Sequence, residues 1–125
     1  MNARSLAHAA YSQSNTPIRT DRGTEYEVLA RVTHAMRLAA ARGQKGFTNL
    51  ADAIHKNRNL WTILAADVAD KNNPLPKDLK ARIFYLAEFT QSHSRKVLQD
   101  GASIAPLVEI NAAVMRGLRQ GEQKK

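Results

Sequence analysis

A chain of 125 residues is the size of one domain, and 43% hydrophobic with 24% charged residues is typical of soluble globular proteins. Nineteen Lys and Arg against eleven Asp and Glu give a formal charge of +8, which favours an acidic partner, nucleic acid included. The lack of cysteine excludes disulfides, thiolate metal sites and cysteine nucleophiles. No apolar run approaches the roughly 18 residues of a membrane-spanning helix, and no signal-peptide pattern is present, so we expect a cytoplasmic protein.

The apolar residues recur with the period of a helix along almost the whole chain, and no segment alternates as a half-buried strand does. The sequence therefore predicts an all-α fold, a small helical bundle that forms a single domain over residues 1–125. A short first helix is expected over about Ser5–Gln13, with Leu6 and Ala9 on its apolar side. Turn-forming residues follow, so we expect residues 1–20 to be an N-terminal segment able to move relative to the body.

Four longer helices follow, each with its own start and stop signals. The first begins at Thr24, which fits a capping box with Glu27, or earlier at Asp21, and Gly43 ends it. Its two apolar faces fit either a helix packed between two neighbours or an exposed face for a partner. The four helices are predicted at about 24–42, 48–70, 76–99 and 104–120, and residues 120–125 should fray.

The helix at about 48–70 has the clearest apolar stripe and is predicted to lie at the centre of the bundle. Its stripe and that of the last helix each include an asparagine, Asn57 and Asn111. A buried amide needs a partner, so we interpret both as structural polar residues that bond to each other or to open backbone groups at the turns. A direct role in partner recognition is the alternative. Trp61 lies on the same stripe and fits the core better than a binding anchor.

Signals of catalysis are absent from the sequence. There is no nucleophile elbow, phosphate-binding loop or HExxH motif, so we expect no enzymatic activity and no cofactor. Among the scattered histidines, only His55 has a potential metal ligand, Asp52, at helical spacing. A stable metal site gathers at least three protein ligands, so we expect no metal.

One motif points to RNA. Gly43-Gln44-Lys45-Gly46 matches the GXXG loop with which one RNA-binding fold clamps a nucleic-acid backbone. That fold also needs a three-stranded sheet, for which the sequence has no segment, so we interpret the loop as a helix stop and a turn. The positive charge is spread along the chain and is not gathered on one face. RNA binding therefore stays an alternative.

Many short stretches match one known family in order and spacing. They are Ala10-Tyr11, Glu25-Tyr26, Val32-Thr33, Ala35-Met36, Leu50-Ala51, Ala53-Ile54, Asn57-Arg58-Asn59-Leu60-Trp61, Leu64-Ala65, Asp67, Asn73, Leu75-Pro76, Pro106-Leu107-Val108-Glu109-Ile110-Asn111 and Met115-Arg116-Gly117-Leu118. On these stretches the chain resembles the flagellar biosynthesis regulator FlaF family over nearly its whole length. It departs from the family pattern in the loop around Lys45 and in the residues from Arg19 to Thr24.

The resemblance implies a small cytosolic protein that is needed for flagellin production and filament assembly and acts opposite a second regulator that restrains flagellin synthesis. It implies no enzymatic activity, and it leaves open whether the protein acts on flagellin or on flagellin message. We favour flagellin, with the protein as a chaperone or export helper, because an all-α module can cover an amphipathic segment that must not assemble early. The candidate partner-binding residues are Tyr11, Tyr26, Leu29, Met36, Arg58 and Trp61.

Overall fold

The computed structural model describes residues 21–123, and the side chains of residues 24–117. No strand occurs in this part of the chain, and the predicted all-α fold is confirmed. The predicted first helix, and Tyr11 within it, lie outside the described residues. The elements are α1 (Asp21–Ala41), a one-turn 3-10 helix (Gly43–Gly46), α2 (Phe47–Ala69), α3 (Lys77–Asp100) and α4 (Ala105–Gln123).

The helix ends follow the sequence signals closely. α1 is already helical at Asp21, the earlier of the two predicted starts, so Thr24 lies inside the helix and does not cap its first turn. Gly43 and Gly101 have φ angles of 64° and 71°, the left-handed conformation in which glycine ends a helix at little cost. α4 continues to Gln123, three residues beyond its predicted end.

α2 lies at the centre of the bundle, as its apolar stripe predicts, because it packs against α1 on one side and α3 on the other. α1 packs against both α2 and α4, which explains its two apolar faces. α3 and α4 have far fewer contacts with each other, although they are joined by a short turn. None of the described helices is long and apolar enough to cross a membrane.

The turn between α3 and α4 is held by side chains. His93 Nε2 donates a 2.7 Å hydrogen bond to the carbonyl oxygen of Ser103. The Ser103 hydroxyl accepts a 3.0 Å bond from the amide of Ala105, as expected of a residue that caps a helix start. The two helices are therefore fixed to each other at this end, whereas their far ends have little to hold them together.

The core consists of two apolar clusters. One lies toward the 3-10 helix and comprises Val32, Met36, Ala53, Ile54, Val97 and Leu107. The other lies toward the opposite end and comprises Leu29, Leu60, Trp61, Leu64 and Ala87. Buried polar residues on all four helices fall at the boundary between the clusters, and we call them the polar layer: Thr33, Asn57, Thr90, Ser94 and Asn111.

The passage from α1 to α2 depends on close backbone contact at Gly46, which is buried. A Cβ atom there would clash with the carbonyl oxygen of Ala39 and lie 2.9 Å from the Cβ of Arg42. Only glycine fits this position without a shift of the backbone. The GXXG sequence thus serves the crossing between two helices.

Candidate functional site

An apolar groove opens at the end of the bundle where α1 begins, α2 ends, α3 begins and the later part of α4 lies. Its volume of about 550 Å³ falls in the range of roughly 300–1,000 Å³ that is usual for ligand pockets. All four helices and the α2–α3 turn contribute to it. The main apolar residues of its lining are Leu29, Leu64, Leu79, Ile83, Leu86 and Val114.

The groove forms because α3 and α4 have few contacts with each other away from their shared turn. Ile83 and Leu86 on α3 face the groove together with Val114 on α4. Leu79 also lines the groove and remains 39% exposed, although its spacing of four residues from Ile83 and seven from Leu86 predicts an inward position on one apolar stripe. The apolar stripe of α3 thus extends beyond the core, and its residue in the first turn of the helix is exposed in the groove.

Hydrogen bonds of the polar layer hold the floor of the groove. Trp61 Nε1 donates a 2.9 Å bond to Asn111 Oδ1. Asn111 Nδ2 donates to Asn57 Oδ1 at 2.9 Å and to Thr33 Oγ1 at 3.0 Å. The Thr33 hydroxyl donates in turn to the carbonyl oxygen of Leu29 at 2.6 Å. One amide therefore links α1, α2 and α4 and fixes the indole ring against the groove.

The rim of the groove is the α2–α3 turn, which side-chain bonds shape. Asn73 Nδ2 donates a 3.1 Å bond to the carbonyl oxygen of Asp67, and Asn73 Oδ1 accepts a 2.9 Å bond from the amide of Leu75. Asp70 Oδ1 accepts a 2.9 Å bond from the amide of Asn72. Asn and Asp side chains commonly fix the backbone of a turn by such local hydrogen bonds. The α2–α3 turn therefore has a defined conformation at the rim of the groove.

The lining of the groove is acidic on balance. Glu25, Asp67 and Asp70 contribute carboxyl groups, and Arg82 contributes the one guanidinium group of this lining. The chain as a whole has a formal charge of +8. The groove is thus a locally acidic place on a basic protein, and it suits an occupant that combines apolar and basic residues.

Two of the predicted partner-binding residues line the groove. Leu29 and Trp61 are both 0% exposed in the bundle and lie at the groove floor. Met36 is equally buried, but it packs in the apolar cluster at the other end of the bundle and does not line the groove. The apolar stripe that singled out Met36 thus packs in the core at this position.

The two remaining candidates lie outside the groove. Tyr26 is half-buried on α1. Arg58 Nε donates a 2.8 Å bond to Gln91 Oε1, and Gln91 Nε2 donates back to the carbonyl oxygen of Arg58 at 3.1 Å and to Thr62 Oγ1 at 3.2 Å. Arg58 thereby clamps α2 to α3. Sequence reasoning missed the facing walls on α3 and α4, for which the only signal was an apolar stripe extending to Leu79.

The residues considered for metal binding have other partners. Asp52 Oδ2 lies 3.1 Å from Lys56 Nζ, one helical turn away. His55 Nε2 lies 3.4 Å from Asn59 Nδ2. Within residues 21–123, no group of three or more His, Asp or Glu side chains is placed to hold a metal ion.

The fold and the groove define a small all-α bundle that is closed by packing at one end and opens as an apolar groove at the other. The chain belongs to the FlaF family: the model of the family described as Flagellar protein FlaF matches residues 7–118. The resemblance seen in the sequence is thus confirmed, and the protein has a flagellar role. No curated protein and no solved structure matches the chain.

Proposed function

We propose that the protein promotes flagellin production and filament assembly by binding newly made flagellin in the cytoplasm, as a chaperone or export helper without enzymatic activity. Family membership supports the flagellar part of this proposal. The groove is the observation that carries the rest, because it is open, apolar and bounded by four helices. An amphipathic helix binds such a groove with side chains spaced by three and four residues.

Binding in the groove would cover an apolar stripe that flagellin needs for assembly. Each side chain of the size of Leu that is buried contributes roughly 1.5–3 kcal/mol, and part of this gain offsets the entropy lost on association. A few such side chains therefore give a moderate affinity. Moderate affinity suits a helper that must release its cargo for export.

A net charge of +8 speeds encounter with a partner that is acidic overall, whereas the acidic groove lining favours basic side chains on the segment that enters it. A basic protein attracts an acidic partner over a distance set by ionic strength, so salt should slow association. The apolar contacts in the groove should persist at the same salt concentration. Flagellin binding is therefore expected to weaken only modestly between low and moderate salt.

Calorimetry with the full chain and purified flagellin tests the proposal. Leu79→Asp places a charge on the groove wall and should weaken flagellin binding at least tenfold. Leu38→Asp is the matched control, because Leu38 is an exposed leucine on α1 that does not line the groove. If the two variants bind alike, the groove is not the site. If the parent chain does not bind flagellin at all, the proposed function is wrong.

The alternative, binding to flagellin message, has one supporting observation at the start of α3. Phe84 and Tyr85 are 44% and 64% exposed there, and Lys77 and Lys80 precede them on the same helix. Basic and aromatic side chains together suit single-stranded RNA. The same calorimetry with flagellin leader RNA distinguishes the two, because RNA binding falls steeply with salt. Tight RNA binding without flagellin binding would favour this alternative.

A further inference from the structure

We propose that the outer side of α1 and the crossing to α2 form a surface that binds reversibly to a membrane containing anionic lipid. We call this surface the basic face, and it comprises Arg31, Arg37, Leu38, Arg42, Lys45 and Phe47. None of these residues lines the groove. The proposal concerns a second surface of the chain and does not depend on flagellin binding.

One side of α1 is not covered by the other helices. α1 packs against α2 and α4, which leaves its outer side in solvent. Leu38 lies on that side and is 57% exposed. His34 and Arg42, each one helical turn from Leu38, are exposed as well, and so is Arg31, two turns before it. Leu38 is therefore an apolar side chain that protrudes between basic ones.

The crossing from α1 to α2 brings a second apolar side chain to this surface. Gly46 packs against α1 so closely that a Cβ atom there would lie 2.9 Å from the Cβ of Arg42. Phe47 follows Gly46 directly, so its backbone also lies beside this part of α1. Its side chain is 50% exposed. Leu38 and Phe47 thus both lie close to Arg42, one a helical turn away along α1 and the other across the crossing.

The charge of the basic face is positive without compensation nearby in the sequence. No Asp or Glu occurs among residues 28–51, and the four basic residues of the face all lie in that stretch. All four are exposed, and none of them forms an ion pair or a side-chain hydrogen bond with another residue of 24–117. The next carboxyl group along the chain, that of Asp52, lies 3.1 Å from Lys56 Nζ. The four positive charges are therefore available to an external anionic surface.

The combination of protruding apolar side chains and basic residues favours a lipid surface. Leucine and phenylalanine side chains enter the boundary between head groups and acyl chains, while Lys and Arg attract anionic head groups. Each basic residue near such a surface increases the affinity roughly fivefold. With only two apolar side chains to insert, binding should be reversible and should weaken as salt screens the charges.

Single-stranded RNA is another anionic partner that these charges could attract. Proteins that bind single strands stack successive bases on several aromatic side chains within a basic groove. Phe47 is the one aromatic residue of the basic face, and Leu38 has no ring on which a base could stack. The observations therefore favour lipid, and RNA is tested as the competing outcome.

Sedimentation of the full chain with lipid vesicles tests the proposal. We expect binding to vesicles of phosphatidylserine and phosphatidylcholine at low salt, and at least tenfold weaker binding to phosphatidylcholine alone. Arg42→Gln with Lys45→Gln should weaken binding to the anionic vesicles at least tenfold. The matched control is Lys71→Gln with Lys77→Gln, which removes two charges from exposed positions at the α2–α3 turn, and it should weaken binding less than threefold. Equal losses in the two double variants would show that net charge alone drives binding and would overturn the proposal.

A fluorescent label tests whether the apolar side chains enter the lipid, because the parent chain has no cysteine. Leu38→Cys and Phe47→Cys each carry the polarity-sensitive dye NBD, and Tyr85→Cys, at a position 64% exposed on α3, is the control. Anionic vesicles should raise the emission of the label at least twofold at positions 38 and 47 and leave it unchanged at position 85. The same response at all three positions, or no response at any, would overturn the proposal.

Two further results would also overturn the proposal. One is a parent chain that does not sediment with anionic vesicles at low salt. The other is binding to oligouridine without binding to vesicles, lost in Arg42→Gln with Lys45→Gln, which would assign the basic face to nucleic acid. Circular dichroism of each variant verifies that its helices are retained. None of these measurements uses flagellin, so the proposed function stands or fails separately.

Discussion

Asn111 Nδ2 on α4 lies 2.9 Å from Asn57 Oδ1 on α2, although the backbones of these two helices have little other contact. The bond crosses the interior of the bundle. Asn111 uses both its oxygen and its nitrogen, since it also accepts from Trp61 and donates to Thr33. Asn57 uses its oxygen only, because its Nδ2 has no hydrogen-bond partner among the described residues. Removal of the Asn111 side chain would therefore break more hydrogen bonds than removal of the Asn57 side chain.

Asn111→Ala should destabilise the protein more than Asn57→Ala. The first substitution leaves the buried Trp61 N–H and the Asn57 oxygen without partners, and each such group costs roughly 1–3 kcal/mol, so we expect about 3 kcal/mol. The second removes a nitrogen that was already unpartnered, and we expect about 1–2 kcal/mol. Urea denaturation measures both, with the exposed Asn59→Ala as a control that should change stability by less than about 0.5 kcal/mol. A larger loss of stability in Asn57→Ala than in Asn111→Ala would contradict the hydrogen bonds assigned to these two residues.

Two Thr→Val substitutions in the polar layer should have opposite signs. Thr33 donates to the Leu29 carbonyl oxygen and accepts from Asn111, so Thr33→Val should destabilise by roughly 1–3 kcal/mol. Thr90 is 0% exposed and its hydroxyl has no partner among the described residues. Removal of an unpaired buried hydroxyl should therefore make Thr90→Val about 1 kcal/mol more stable. Thermal unfolding compares the pair, and a shift in the same direction for both would show that the two hydroxyls have similar surroundings.

Trp61→Phe and Trp61→Ala separate the hydrogen bond of the indole from its bulk. Phe retains most of the ring and loses the bond to Asn111, which we expect to cost roughly 1–3 kcal/mol because the Asn111 oxygen loses its partner. Ala should cost about 3–5 kcal/mol, since Trp61 is 0% exposed. Denaturation monitored by circular dichroism gives both values. A loss well below this in Trp61→Ala would mean that the side chain packs loosely and is available to a partner.

Gly46→Ala should destabilise the crossing from α1 to α2. The new Cβ would clash with the Ala39 carbonyl oxygen, so the backbone must shift, at a cost of about 1–3 kcal/mol. Gly117→Ala is the matched control, because no atom lies within 4 Å of a Cβ there and alanine favours a helix by about 1 kcal/mol. Melting temperatures should move in opposite directions. A melting temperature of Gly46→Ala equal to that of the parent would show that the backbone between α1 and α2 can shift to accept the new Cβ at little cost.

Local patterns were enough to predict most of the fold. The glycines at 43 and 101 end helices because no other residue tolerates their backbone angles as well, and such signals need no tertiary information. The start of α1 is an exception, because Thr24 and Glu27 carry a capping pattern although the chain is already helical at Asp21. A helix start depends on what its first turn packs against, and a linear sequence does not contain this.

The groove was harder to predict than the helices. An apolar stripe shows that a face is buried but not which neighbour buries it, so Met36 and Leu29 look alike in the sequence. One packs in the closed end of the bundle and the other reaches the groove. Leu79 looks like a core residue until the separation of α3 from α4 is known. Whether such a residue lies in the core or in the groove depends on contacts between helices that are far apart in the sequence.

The polar layer also sets the alignment of the helices along their axes. If α4 slid by one helical turn, about 5.4 Å, Leu107 or Met115 would take the place of Asn111 opposite Asn57. The Trp61 N–H would then face an apolar side chain that offers at best a weak thioether acceptor, and the displaced amide would lie among apolar neighbours. An interior of leucine and valine alone would tolerate such sliding far better. The amides thus select one register among several that hydrophobic packing would accept, and the position of the groove walls relative to each other follows from that register.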